Sequence, residues 1–185
     1  TSVTRDDLPD GGAEQFVACV AAIRARRGAL TSVELLIPDL RGHEAPLLRI
    51  LASAPEVLNH NIETVPRLYP RVRPAADYAG SLTLLARAAA HGGMRVKSGL
   101  MLGLGEEASE ILATLRDLRE AGVDALTIGQ YLSPGPAHLP VERYWPPETF
   151  AELKTQALSL GFATVESHPL ARSSLHAAGL FSSDC

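Results

Sequence analysis

Short apolar segments rich in β-branched residues alternate along the chain with longer amphipathic ones, and this pattern predicts parallel strands joined by crossover helices. The runs at 33–38, 57–63, 96–102 and 125–132 read as strands, with a weaker one at 162–166. Helical periodicity occupies 13–27, 45–54, 81–91, 107–121 and 147–160. Ile111, Leu112, Leu115 and Leu118 share one face, and Gly122 stands just past them as a stop. Pro147 in a first turn, a stripe of Phe150, Leu153, Ala157 and Leu160, and the following Gly161 mark the last helix in the same way. The expected fold class is α/β, an open arc of βα units. Thr1, Ser2 and Val3 read as the end of a further strand, so part of the parent barrel is expected upstream.

Composition narrows the function classes. With 46% hydrophobic and 21% charged residues in 185, a soluble domain with a real core is expected. The net charge of -4 offers no basic excess to neutralise phosphates, so no nucleic-acid partner is expected. No apolar run approaches the roughly 18 residues of a membrane span, and the first residues lack a signal-peptide layout, so neither membrane nor export is expected. The two cysteines, Cys19 and Cys185, form no C-x-x-C pair. Cys19 falls near Phe16, Val20 and Ile23 and is expected as a small buried thiol.

Several segments carry candidate chemistry. The strand at 57–63 ends in Asn59, His60, Asn61, Ile62, Glu63 and Thr64, on the edge where barrels place their active sites. Alternation puts Asn59, Asn61 and Glu63 on one face and His60 and Ile62 on the other. The plainer alternative is a polar plug at the barrel mouth. Gly99, Gly103 and Gly105 lie between a strand and a helix, where they allow close approach to a ligand or simply make the turn. Lys97 in an apolar strand must snorkel, pair with a carboxylate or face a ligand. Ser2 and Asp6 are candidates in the first loop, whose Asp6, Asp7 and Asp10 could equally be a solvated run that caps the next helix. His43 and His91 have no metal-site spacing and read as surface or capping residues.

Five segments in order resemble the lipoyl synthase family: TSVTRDDLPDGGA at 1–13, LNHNIETVPRLYPRVRP at 58–74, KSGLMLGLGE at 97–106, IGQYLSPGPAHLPVERYWPPE at 128–148 and PLARSSLHA at 169–177. The last resembles that family's Arg-Ser-Ser-Tyr signature, with Leu175 in place of Tyr, and His168 stands where the family has Gly. The resemblance implies a partial TIM-like radical SAM (βα)6 barrel, truncated at the N-terminus, with strands two to six in residues 1–160 and a C-terminal tail at 161–185 carrying the Arg-Ser-Ser motif. It implies a sulfurtransferase that inserts two sulfur atoms at C6 and C8 of an octanoyl-lysyl group on a lipoyl carrier protein. The carriers that the resemblance implies are E2 lipoyl domains of dehydrogenase complexes and the glycine cleavage H protein, and the setting it implies is a bacterial-type cytoplasm or an organelle.

The cofactors implied are S-adenosylmethionine and two 4Fe-4S clusters, held by two cysteine triplets that this sequence does not contain, so this chain alone is expected to hold no cluster and to be inactive. By the same resemblance Asn61 and Glu63 hold the ribose hydroxyls, and Ser2, Asp6, Lys97 and Gly103 contribute to the cofactor site. Ser174, with Ser173 as the alternative, is the implied oxygen ligand of the auxiliary cluster, beside which His168 is a rival. Three other readings stand beside this one. Biotin synthase has a similar Asn-His-Asn stretch but is disfavoured by Arg172, Ser173 and Ser174. A barrel aldolase could use Lys97 as a Schiff-base nucleophile. A non-enzymatic domain would only bind lipoyl carriers or an N-terminal partner.

Overall fold

A computed structural model describes residues 1–28 and 31–174. Its elements are α1 (Ala13–Arg27), β1 (Glu34–Leu36), α2 (Glu44–Ala52), β2 (Val57–Asn59), α3 (Tyr69–Val72), α4 (Tyr78–His91), β3 (Arg95–Leu102), α5 (Ala108–Glu120), β4 (Ala125–Gln130), α6 (Pro147–Ser159) and β5 (Thr164–Ser167). The five strands are parallel and lie in chain order, β1-β2-β3-β4-β5. This is the α/β arc that the periodicity predicts. β5 extends the sheet into the segment that the sequence reading gave to the tail.

One face of the sheet packs on the helices, while the other carries Glu34, Asn59, Gly99 and Thr127. Leu35, Leu58, Val96, Leu126, Ile128 and Val165 join one core with Leu47, Leu85, Leu115 and Phe150 from the helices. The helices start where the chain satisfies its orphan amides. α5 opens on a capping box in which Glu107 and Glu110 exchange backbone bonds, and Gly122 follows its end at φ 83°. α4 begins at Tyr78, ahead of the predicted 81, because the Asp77 carboxylate accepts from the Gly80 amide at 2.7 Å. Asp10 accepts from the Gly12 and Glu14 amides at 3.0 and 2.8 Å, which fulfils the capping alternative for the acidic first loop.

Three expectations are corrected. Cys19 is exposed, not buried, because α1 buries only Ala13, Phe16 and Val20, and Ile23 is left at the surface with it. Thr1, Ser2 and Val3 are exposed and form no strand. The strand expected at 57–63 leaves the ladder after Asn59, and Glu63 rejoins it only as an isolated bridge to Leu100. Cys185 and Leu175 lie outside the described residues. Among those described, no helix is long and apolar enough to cross a membrane.

Candidate functional site

The inward positions of neighbouring strands converge on a cavity of about 470 Å³ at the carboxyl ends of the sheet. Its polar wall is Glu34 of β1, Asn59 of β2, and Asn61 and Glu63 just beyond β2. Gly99 and Met101 of β3 and Thr127 and Gly129 of β4 continue it. Residues Ala171 to Ser174 of the C-terminal segment close it. The alternation read from the sequence holds, since Asn59, Asn61 and Glu63 line the cavity while His60 and Ile62 are buried.

β2 departs from its ladder through a bulge. Asn59 is opposite Lys97 and Glu63 is opposite Leu100, so four steps on one strand match three on the other. Asn61 and Glu63 both face the cavity, where the Asn61 amide donates to Glu63 Oε1 at 3.1 Å. Glu63 has φ 67°, a left-handed backbone that a non-glycine residue adopts at a cost. Burial pushes its carboxyl up from the ordinary range, while the Asn61 bond and the nearby Arg73 charge pull it down.

Lys97 is 3% exposed and donates to Glu34 Oε1 at 2.9 Å and to the carbonyl of Ser173. Two acceptors on one ammonium mark it as a tether between β1, β3 and the tail. Asn59 donates to the same Glu34 oxygen at 3.2 Å, leaving Glu34 Oε2 and Asn59 Oδ1 buried without a partner. The Ser173 hydroxyl donates to Asn61 Oδ1 at 2.9 Å. Gly99 makes this closeness possible, since a Cβ there would meet Asn61 Oδ1 at 2.7 Å and Ser173 Oγ at 2.9 Å. Ser174 is exposed at the rim of the cavity.

Of the residues singled out from sequence, Asn61, Glu63, Lys97 and Ser174 are thus brought to one place. Ser2, Asp6 and Gly103 are not. The Ser2 hydroxyl donates to the Val3 carbonyl at 2.9 Å, and Asp6 pairs at the surface with Arg41 at 3.3 Å. The Gly103 and Leu104 amides, expected to be open to a ligand, donate to the Glu106 carboxylate at 2.6 and 2.9 Å, and the Trp145 indole adds a third bond at 2.6 Å. A Cβ on Gly103 would meet Gln130 Nε2 at 2.2 Å, so this glycine serves packing against the segment after β4. His168 pairs with Glu166 at 3.0 Å. The sequence reading missed Glu34, Thr127 and Gly129. Glu34 carried a signal, as a carboxylate inside an apolar strand on the same face as Leu36.

The cavity fits a nucleoside-like ligand. It offers a carboxylate and carboxamides to hydroxyl or amino groups, a glycine wall for close approach, and buried acceptors without donors. The donor set does not fit an iron-sulfur cluster, which needs several thiolates where this chain has two cysteines, one of them exposed on α1. Among the described residues no three His, Cys, Asp or Glu side chains converge on a metal position.

Comparison with known proteins gives a consistent set of relatives. A lipoyl synthase of Pelodictyon phaeoclathratiforme is 54% identical over 97% of this chain and 61% of its own length. One of Xanthomonas euvesicatoria is 57% identical over 96% of this chain and 53% of its own. One of Xylella fastidiosa is 54% identical over 96% of this chain and 48% of its own. The chain therefore spans about half to three-fifths of the length of these relatives. No family model matches it. Among solved structures, a methylornithine synthase superposes with a TM-score of 0.60 at 17% identity, covering 83% of this chain and 51% of that one. A hydroxymethylglutaryl-CoA lyase from Pseudomonas aeruginosa gives 0.50 at 16%, covering 97% and 70%. At such identities the likeness concerns the fold.

Proposed function

We propose, on the premise that this chain is a homologue of lipoyl synthases over almost its whole length, that it forms the cosubstrate wall and closing tail of a radical SAM sulfur-insertion enzyme. The substrate proposed is an octanoyl-lysyl group on a lipoyl carrier protein, sulfurated at C6 and C8. The observation that supports this reading best is the meeting of Asn61 and Glu63 with the Arg172 to Ser174 segment in one cavity, since the two come from segments 112 residues apart in the chain.

Within this reading each group has a defined task. Glu63, as carboxylate, accepts from the vicinal ribose hydroxyls of S-adenosylmethionine, and the Asn61 amide, already bonded to Glu63, fixes the direction of that carboxylate. Gly99 lets the ligand approach the strand backbone. Bound there, S-adenosylmethionine would supply hydrogen-abstracting chemistry once a one-electron donor from outside this chain cleaved its sulfonium bond. Lys97, itself anchored on Glu34, donates to the tail carbonyl of Ser173, and the tail in turn screens the cavity from water. Ser174 is the proposed oxygen ligand of an iron site whose thiolates come from outside this chain. A hard alkoxide holds iron less firmly than thiolate does, as suits a site that must give up sulfur.

A chimera tests the proposal, with this chain joined behind the N-terminal part of the Xanthomonas relative. After anaerobic loading with iron and sulfide, it is expected to yield both 5'-deoxyadenosine and lipoyl product from an octanoylated carrier. A folded, cluster-loaded chimera that releases neither would overturn the reading. In the same chimera Ser174→Ala is expected to keep 5'-deoxyadenosine release and lose lipoyl product. Normal lipoyl yield would remove Ser174 from the iron site.

A further inference from the structure

The bulge after β2 is the least self-sufficient stretch of backbone around the cavity. Its flanks pair normally, with the His60 amide on the Lys97 carbonyl at 3.0 Å and the Glu63 amide on the Gly99 carbonyl at 2.9 Å. Between those points the ladder offers nothing to the Asn61 carbonyl or the Ile62 amide, and side chains from other elements take over. The Ser98 hydroxyl accepts from the Ile62 amide at 3.1 Å. The Tyr69 hydroxyl donates to the Ile62 carbonyl at 2.7 Å. Arg73, at the end of α3, donates to the Asn61 carbonyl at 3.2 Å and to Tyr69 Oη at 3.1 Å, with its guanidinium 5.5 Å from the Tyr69 ring centre.

We infer that Arg73 and Tyr69 are positioning residues that hold the bulge from behind and so aim Asn61 and Glu63 at the ligand. This rests on the proposed role of that pair. A strained turn needs its surroundings to over-determine it, and the left-handed φ of Glu63 is such a turn. Without the clamp, the Asn61 carbonyl loses its donor and the Ile62 carbonyl keeps only the Thr64 amide at 2.9 Å, and the chain between Asn59 and Glu63 can relax toward a regular register. In a regular register Glu63 would stand opposite Met101 instead of Leu100, so the pair would shift one step along β3 and lose its present alignment with the cavity and with Ser173. The proximity of the Arg73 charge also favours the ionised form of Glu63, the form that accepts two hydroxyls.

The test uses the 185-residue chain with Arg73→Met, Arg73→Lys and Tyr69→Phe. Two quantities are read: affinity for S-adenosylhomocysteine by calorimetry, and amide hydrogen exchange of a peptide spanning 57–68 against one within α5. Arg73→Met is expected to weaken binding at least tenfold and to speed exchange at 57–68 at least tenfold, with exchange in α5 unchanged. Arg73→Lys, which keeps one donor and the charge, is expected to fall between wild type and Met. Tyr69→Phe, which keeps the ring packing, is expected to speed exchange at 57–68 alone. Equal acceleration in both peptides would reduce the clamp to general stability and overturn the inference, as would unchanged exchange at 57–68. If the wild-type chain fails to bind S-adenosylhomocysteine, the cosubstrate reading of Asn61 and Glu63 loses, and exchange still decides for or against the clamp.

Discussion

At the scale of single residues, the chemistry around β2 follows from which face each side chain takes. His60, on the core side, is 1% exposed, with Nδ1 at 3.0 Å from the Ile37 carbonyl and Nε2 at 3.1 Å from the Ser81 hydroxyl. A carbonyl only accepts, so Nδ1 carries the proton and Nε2 accepts from Ser81. Burial pushes the imidazole from 6.5 down to about 4. A group with a lowered folded value binds fewer protons folded than unfolded, so its contribution is intact above pH 6.5 and lost as pH falls through about 4. The gap is equivalent to about 3 kcal/mol. Melting temperature is expected to fall between pH 6.5 and 4, and His60→Gln, which keeps a donor and an acceptor, is expected to flatten that slope. An unchanged slope in His60→Gln would assign the loss to other groups. The face of His60 was legible from alternation. Its partners were not, because Ile37 and Ser81 lie 23 and 21 residues away in the chain.

Elements were legible in proportion to how local their determinants are. α5 needs only its own capping box and apolar stripe, and it spans Ala108–Glu120 against an expected 107–121. Glu107→Ala removes one half of that box and is expected to cost about 1 kcal/mol, measured by denaturant unfolding with an unchanged slope. No loss of stability would show that solvent satisfies the Glu110 amide equally well. α4 starts one turn early through Asp77, a cap signal present in the sequence but weaker than the periodicity that follows. The end of β2 shows the limit of pattern reading. The apolar and polar alternation continues through Glu63, yet the ladder stops at Asn59, because the bulge depends on Ser98 of β3 and on Tyr69 and Arg73 at the two ends of α3.

At the scale of the whole molecule, the tail returns across the strand ends and turns an open arc into a closed site. The Gln130 amide donates to the Pro169 carbonyl at 3.0 Å, and Ala171 is 1% exposed. Gly129 makes the crossing possible, since a Cβ there would lie 2.3 Å from the Ala171 carbonyl oxygen. Gly129→Ala is therefore expected to displace the tail. Trypsin cleavage after the exposed Arg172 should accelerate several-fold while the melting temperature changes little, because the core of Leu58, Leu115 and Phe150 is untouched. Cleavage at the wild-type rate would mean that the tail is held by the Lys97 contact alone.

The sequence by itself determined the order and type of the strands and helices, because a two-residue or 3.6-residue period and a cap are properties of neighbouring residues. It also determined that Asn59, Asn61 and Glu63 share a face. Only the tertiary structure decided which candidates share a site. Ser2, Asp6 and Gly103 have motif positions as suggestive as those of Asn61 and Glu63, but the Val3 carbonyl takes the Ser2 hydroxyl, and Arg41, Glu106 and Gln130 claim the space or the polar groups around the other two. Lys97 was legible as anomalous, but its role was not, because its partners Glu34 and Ser173 lie 63 and 76 residues away. A buried charge must find an opposite charge and acceptors, and only the packing of distant strands and the returning tail determines which groups those are.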